Sequence, residues 1–268
     1  MSLDSMADIL HCMEQEGKEF WEVVLAADME ERQVSRESSL AKMLTTWQAM
    51  VDASDSYTGD RRSVSGLVGG DGLKMRQYAI RGKAMSGGYV SEVIAEALSM
   101  AESNACMRRI VAAPTAGACG VLPAVLLPLC KYEELNQRQI LEALYVASGI
   151  GAVIAYRACI AGAAGGCQAE IGVAVSMASA ALCSMMTDDP DTIHCAASLG
   201  GQVLMGLLCN PIEGYVQVPC IVRNMAAVPT AVTCANAALA GMDHIVPLDD
   251  VVALMLAVGE KIRPCDEA

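Results

Sequence analysis

A mainly α fold is predicted by three features of the sequence. Hydrophobic residues make up 54% and aromatic residues 4%, with a single Phe. A core so apolar and so poor in rings must be packed from Ala, Val, Leu, Met and Cys, which suits helices in close approach. Alternating Val/Ile/Thr runs that would mark strands are thin. Gly and Pro gather in short segments between apolar stretches: GGDGLK at 69–74, GKAMSGG at 82–88, APTAGACG at 113–120, AGGCQAEIG at 164–172 and LCNPIEGYVQVPCIVRN at 208–224. Such punctuation marks helix ends.

From the N-terminus, Met6, Ile9, Leu10, Met13, Phe20, Val23, Val24 and Ala27 follow helical spacing, and Leu40, Met43, Leu44, Trp47, Met50 and Val51 repeat it. Residues 1–56 are therefore expected to form a hairpin of two amphipathic helices, and 57–268 the main helical domain, the two making one continuous unit. The pattern dissolves from Asp52 to Lys74 into DASDSYTGDRRSVSGLVGGDGLK, a long loop of the kind that carries function. Then come a helix over Val90–Ala105, the PTAG turn, an apolar helix from Val121, a charged surface helix from Asn136 to Tyr145 and a Gly/Ala-rich stretch to Gly166.

The net charge of −13 removes whole classes of partner. Nucleic acid and anionic membranes both recruit clustered Lys and Arg, which this chain lacks. Two runs are long enough and uncharged enough to span a bilayer, Ile110 to Cys130 and Asn224 to Met242. The first contains Pro114, Pro123, Pro128, Gly117 and Gly120, the second Pro229, Thr230, Thr233 and two Asn, and neither has an aromatic belt or a flanking Lys/Arg asymmetry. Both read as buried helices, broken by Pro, Gly and amides, in a soluble protein. The first twenty residues carry acids and no basic segment followed by an apolar one, so a secretory signal is not expected. A reducing cytoplasm follows, in which the twelve cysteines are thiols or metal ligands.

Three of those cysteines fall inside Gly/Pro turns: Cys167 after Gly165-Gly166, Cys209 before Asn210-Pro211, and Cys220 after Pro219. Cys183, Cys195 and Cys234 lie instead in helical runs, where a thiol packs. No CxxC pair occurs, which disfavours a zinc ribbon or a ferredoxin cluster. Three dispersed thiolates suit a cluster with one iron left open; buried structural cysteines are the alternative.

The runs NACMRRIVAAPTAGACGVLPAVL, GGCQAEIGVAVSMASAAL and CNPIEGYVQVPCIVRNMAA resemble the α chain of bacterial iron–sulfur L-serine dehydratase, over about residues 60 to 262. The resemblance implies a helical, cluster-binding catalytic domain with a [4Fe–4S] cluster on Cys167, Cys209 and Cys220, one iron open, and no pyridoxal phosphate. It implies an oxygen-sensitive ammonia-lyase that converts L-serine to pyruvate and ammonia. An open iron would act as a Lewis acid on the hydroxyl, a poor leaving group. Substrate contacts are expected from Lys83, Ser86 and Thr115, with Arg223 and Asn224 supporting the cluster side. The base is the gap. His11 lies outside the resemblance, His194 reads as a helix cap, and His244 falls within it as the catalytic candidate. The family's second portion, the β chain, is not in this sequence, so a separate β chain and a hetero-oligomer are expected. The chain ends at Arg263-Pro264-Cys265-Asp266-Glu267-Ala268, where some relatives place a terminal cysteine on the cluster; Cys265 is the corresponding fourth candidate. Elimination on threonine or cysteine, and a non-catalytic redox or sensor module, are the competing functions.

Overall fold

The computed structural model describes residues 3–82, 84–243 and 246–262. Among them the chain is helical and has no sheet; Ile212 and Tyr215 form an isolated bridge. The mainly α expectation holds.

The N-terminal hairpin has three helices rather than two: α1 (Met6–Glu16), α2 (Phe20–Arg32) and α3 (Arg36–Asp55). Gly17 takes the left-handed conformation at φ 61° and ends α1 inside what the apolar spacing reads as one helix. Glu19 and Glu22 then form a reciprocal cap that restarts the chain as α2. The core is shared along the chain, and Met6, Phe20 and Trp47 belong to the same apolar cluster as Ile154, Ala178 and Met255.

The loop expected from Asp52 to Lys74 is shorter than its composition suggests. Helix α3 runs to Asp55 and α4 (Asp71–Ile80) starts before the loop's expected end. What starts α4 is distant in sequence. The carboxylate of Glu102, 1% exposed, accepts the backbone N–H groups of Gly70 (3.0 Å), Asp71 (2.7 Å) and Gly72 (3.4 Å), together with the hydroxyl of Tyr57. An anion at a helix N-terminus satisfies donors that the helix itself leaves open. Glu102 comes from α5 (Gly87–Ala105), which packs along α4.

Beyond the PTAG turn, which closes in a short 3-10 turn at Ala116–Ala118, lies α6 (Val121–Tyr132). Helix α7 (Gln137–Arg157) corrects the expected short surface helix: Asn136 and Gln139 cap its start, but it continues for 21 residues and buries Val146, Ile150, Val153 and Ile154. Gly149 and Gly151, which read as a Gly-rich stretch, sit where Val24 of α2 and Met177 come close.

Helix α8 (Gly162–Cys167) and a π-helical turn (Gln168–Gly172) lead into α9 (Val173–Ser184). Val173 to Cys183 are all buried, and α9 is enclosed by α6, α7, α10 (Pro190–Gln202) and α11 (Gln217–Leu239). Burying each Val or Leu there stabilises the fold by about 1.5–3 kcal/mol. The serines of α9 are satisfied: Ser176 donates to Ala197 O (2.7 Å) and Ser179 to Val175 O (2.7 Å). Helix α12 (Leu248–Ile262) closes over α8 and α10.

Three helical segments are long and apolar enough to cross a membrane: Gln137–Arg157, Gly162–Ser184 and Gln217–Leu239. Their most apolar stretches are 67%, 94% and 44% buried within this fold, so the first two spend most of that surface on the protein's own core. The run from Ile110 to Cys130 is broken as expected, being helical only from Val121 apart from the 3-10 turn. The second run is not: Pro229 lies inside α11, and Thr233 donates its hydroxyl to the Pro229 carbonyl (2.8 Å).

Candidate active site

Five segments meet: the end of α5, the 115–120 turn, the α8–π turn, the loop between α10 and α11, and the first turns of α11. They enclose a cavity of about 600 Å³ whose wall includes Thr115, Gly117, Glu170, Cys209, Cys220 and Asn224. Each wall is fixed by buried amides. Asn224, fully buried, donates to the carbonyls of Gly117 (2.6 Å) and Cys220 (2.8 Å) and accepts the N–H of Gly120 (3.0 Å). Gln168, also fully buried, donates to Met255 O (2.9 Å) and accepts Gly206 N–H (2.8 Å), while its own N–H meets Leu207 O (3.0 Å). Such fully satisfied amides specify one arrangement of the segments they join.

Cys167 ends α8, next to Gly166, whose φ of 75° interrupts the helix. A Cβ at Gly166 would lie 2.8 Å from Leu207 O and 2.7 Å from Ile262 Cδ1, so only glycine fits this bend. Cys209 is exposed in its loop. Cys220 corrects the expectation of a turn, because it lies within the first turn of α11. The three thiols share one neighbourhood. Burial pushes Cys167 up to about 12, opposed by the charge of Arg223 and reinforced by Cys209 and Cys220. Burial also pushes Cys220 up to about 11, with Glu170 and Cys209 adding to it. Arg223 donates to Cys167 Sγ and to the Asn210 side-chain oxygen, tying α8 to the loop that carries Cys209. Even so, among the described residues no group of three or more His, Cys, Asp or Glu is gathered closely enough to hold a metal ion. The expectation that these turns form a ready metal site is therefore narrowed to thiols that are neighbours.

Thr115 lines the cavity and donates its hydroxyl to Glu170 Oε1. Ser86 does not: it stands at the N-cap of α5, hydrogen-bonded to Ser91 Oγ (2.8 Å). Lys83, His244 and Cys265 lie outside the described residues. His194 does cap a helix, but a distant one. It sits inside α10, and its Nε2 accepts the N–H of Leu248 (2.9 Å) at the start of α12, while Asp189 caps α10 itself. Glu170 is a cavity residue that the motifs contain without singling out. Its signal is present in the sequence, since it is the only charged residue in 158–187. A lone carboxylate in an apolar run either has a partner or has a task.

The family described as "Serine dehydratase alpha chain" matches residues 15–265. The chain belongs to that family. It is 35% identical over 239 residues to the "Probable L-serine dehydratase, alpha chain" of Bacillus subtilis (strain 168), covering 89% of this chain and 80% of that one. To the "L-serine dehydratase, alpha chain" of Peptoniphilus asaccharolyticus it is 34% identical over 261 residues, 97% of this chain and 89% of the relative. "L-serine dehydratase 2" of Escherichia coli (strain K12) is 43% identical over 169 residues, 62% of this chain but 37% of that longer protein.

Proposed function

We propose that this serine dehydratase alpha chain is the cluster-bearing part of an L-serine ammonia-lyase that releases pyruvate and ammonia in the cytoplasm. The observation that carries the reading is the cavity: in a chain of this family, two of the three candidate cysteines share its wall with the only carboxylate among its lining residues. The donor chemistry suits a [4Fe–4S] cluster better than a single ion. Cys167, Cys209 and Cys220 come from three separate segments and influence one another's charge, yet they do not crowd round one point. A cluster offers each thiolate its own iron.

When bound, a cluster with one iron free of protein ligands supplies a Lewis acid for the departing hydroxyl. The chain supplies the rest. Arg223 offsets the thiolate charge on Cys167 and holds the Cys209 loop through Asn210. Asn224 holds the backbone of the 117–120 turn against α11, so the turn keeps its place beside the helix that carries Cys220. Thr115 fixes one oxygen of Glu170 inside the cavity. Low polarity around these groups strengthens each contact they make with a charged amino acid.

The relatives are alpha chains by name, and such a name presupposes a beta chain; we read the working enzyme as a hetero-oligomer with that partner. The test is anaerobic reconstitution with iron and sulfide, then pyruvate formation from L-serine with and without the beta chain. Turnover of serine above threonine and cysteine, gained on adding the beta chain, is expected. A loaded complex that cycles one electron but leaves serine untouched would overturn the reading.

A further inference from the structure

Removing the α-proton of an amino acid requires a group that changes protonation state. The ionisable side chains lining the cavity, among the described residues, are Glu170, Cys209 and Cys220. The two thiols are assigned to the cluster, which leaves one carboxylate. Neither described histidine competes: His11 is exposed on α1, and the Nε2 lone pair of His194 is taken by Leu248 N–H (2.9 Å); His244 lies outside the described residues.

Glu170 is arranged asymmetrically. Its Oε1 accepts the hydroxyl of Thr115, which fixes the orientation of the carboxylate. Its Oε2 accepts no hydrogen bond from the described residues, and no ion pair involves it among them. Two glycines leave room for this arrangement. A Cβ at Gly117 would stand 2.5 Å from Oε1, and one at Gly162 would stand 2.7 Å from Oε2. Both glycines line the cavity with Glu170. A side chain at 162 would therefore displace or cover the oxygen that accepts no hydrogen bond from the described residues. One oxygen anchored and one without a hydrogen bond from the described residues, on a carboxylate that lines the cavity, is the geometry of a positioned base.

We propose that Glu170 is the general base of the elimination, taking the α-proton of the substrate on Oε2; the assignment rests on the serine ammonia-lyase reading above. The Cα–H bonding pair becomes the second bond between Cα and Cβ, and the Cβ–O bond breaks with its pair on oxygen. The proton held by Glu170 passes to that oxygen, so that water leaves and the carboxylate is restored. The enamine that remains tautomerises to the imine, and addition of water to it gives pyruvate and ammonia.

The experiment uses the full chain, loaded anaerobically and assembled with its beta chain. Glu170→Gln is expected to lower kcat by about 10²–10⁴ with KM held within about twofold. Calorimetric binding of α-methyl-L-serine, which has no α-proton, is expected to stay within about twofold of the unsubstituted chain. Glu170→Asp keeps the carboxylate at a changed distance; it is expected to recover at least about tenfold over Gln and to raise the isotope effect with α-deuterated serine. If Gln retains kcat, or if KM and α-methylserine affinity worsen more than about tenfold while kcat holds, Glu170 is not the base; the second pattern would make it the ammonium anchor. Should Gln lose its iron, Asp decides, and unchanged kcat with an unchanged isotope effect overturns the assignment. Serine turnover by the unsubstituted complex separates this failure from failure of the functional reading, which would show as no turnover at all.

Discussion

Glu102 and Glu170 are the same residue type placed in two corners of one fold, and their surroundings make opposite use of it. Around Glu102 three consecutive backbone N–H groups and the Tyr57 hydroxyl converge on the carboxylate, which is 1% exposed. Its oxygens are consumed in starting α4. Around Glu170 one hydroxyl holds one oxygen, and two glycines, Gly117 and Gly162, let the backbone pass close to the carboxylate without a side chain to cover it. A saturated carboxylate organises structure; an oriented but unsaturated one is available to a ligand.

The contrast is broken or sharpened by substitution. The largest stability effect is expected from Glu102→Ala, which strands three amide donors and a phenol in the interior: a loss of about 3–5 kcal/mol in denaturant unfolding, with faster amide exchange across 56–72. A loss no greater than that of an exposed glutamate such as Glu31 would remove the distinction. Next is Gly162→Ala, whose methyl group meets Oε2. It is expected to lower kcat about 10–100-fold, or about 1.4–2.7 kcal/mol of barrier, while unfolding shifts by less than about 1 kcal/mol. Full activity in that variant would mean that Oε2 is not used. Thr115→Val deletes the hydroxyl that orients Oε1, and a smaller drop of about five- to tenfold in kcat is expected, read in the same steady-state assay. The smallest effect belongs to Cys183→Ser in the middle of α9: iron content unchanged and a packing cost of about 1 kcal/mol. Cys167→Ser or Cys220→Ser should instead lose iron in the same metal analysis. If Cys183→Ser loses iron equally, the division between ligand and packing thiols fails.

What was legible in the sequence divides along the same line, between local and distant causes. Periodicity located α5, α6 and the packing thiols of α9 and α10, because apolar spacing is a property of neighbours along the chain. Helix α4 was hidden since its cap is Glu102, about thirty residues away, and a Gly/Ser/Asp segment looks like loop until that carboxylate is brought to it. The length of α7 was hidden because Gly149 and Gly151 read as a break, whereas in the fold each admits a crossing helix. Of the site, Thr115 was visible through its turn and the three cysteines through their Gly/Pro settings and the family resemblance. Gln168 and Glu170 are not legible in their motif, one because a buried amide declares itself only through its three-dimensional partners, the other because its partner Thr115 is 55 residues away in the chain.

The joint made by Asn224 has an implication for how such a site changes over evolutionary time. Among the described residues its side chain bonds only to main-chain atoms, the carbonyls of Gly117 and Cys220 and the N–H of Gly120. Main-chain atoms are present whatever residue is encoded, so substitution of the side chains facing the cavity leaves this fastening intact. Ala101, Met107, Val216 and Ile221, which also line the cavity, can thus be exchanged to suit a differently shaped amino acid without loosening the joint between the turn and the helix that carries Cys220. Divergence in substrate preference within the family is expected to accumulate at those positions, and the asparagine to be the residue that does not vary with it.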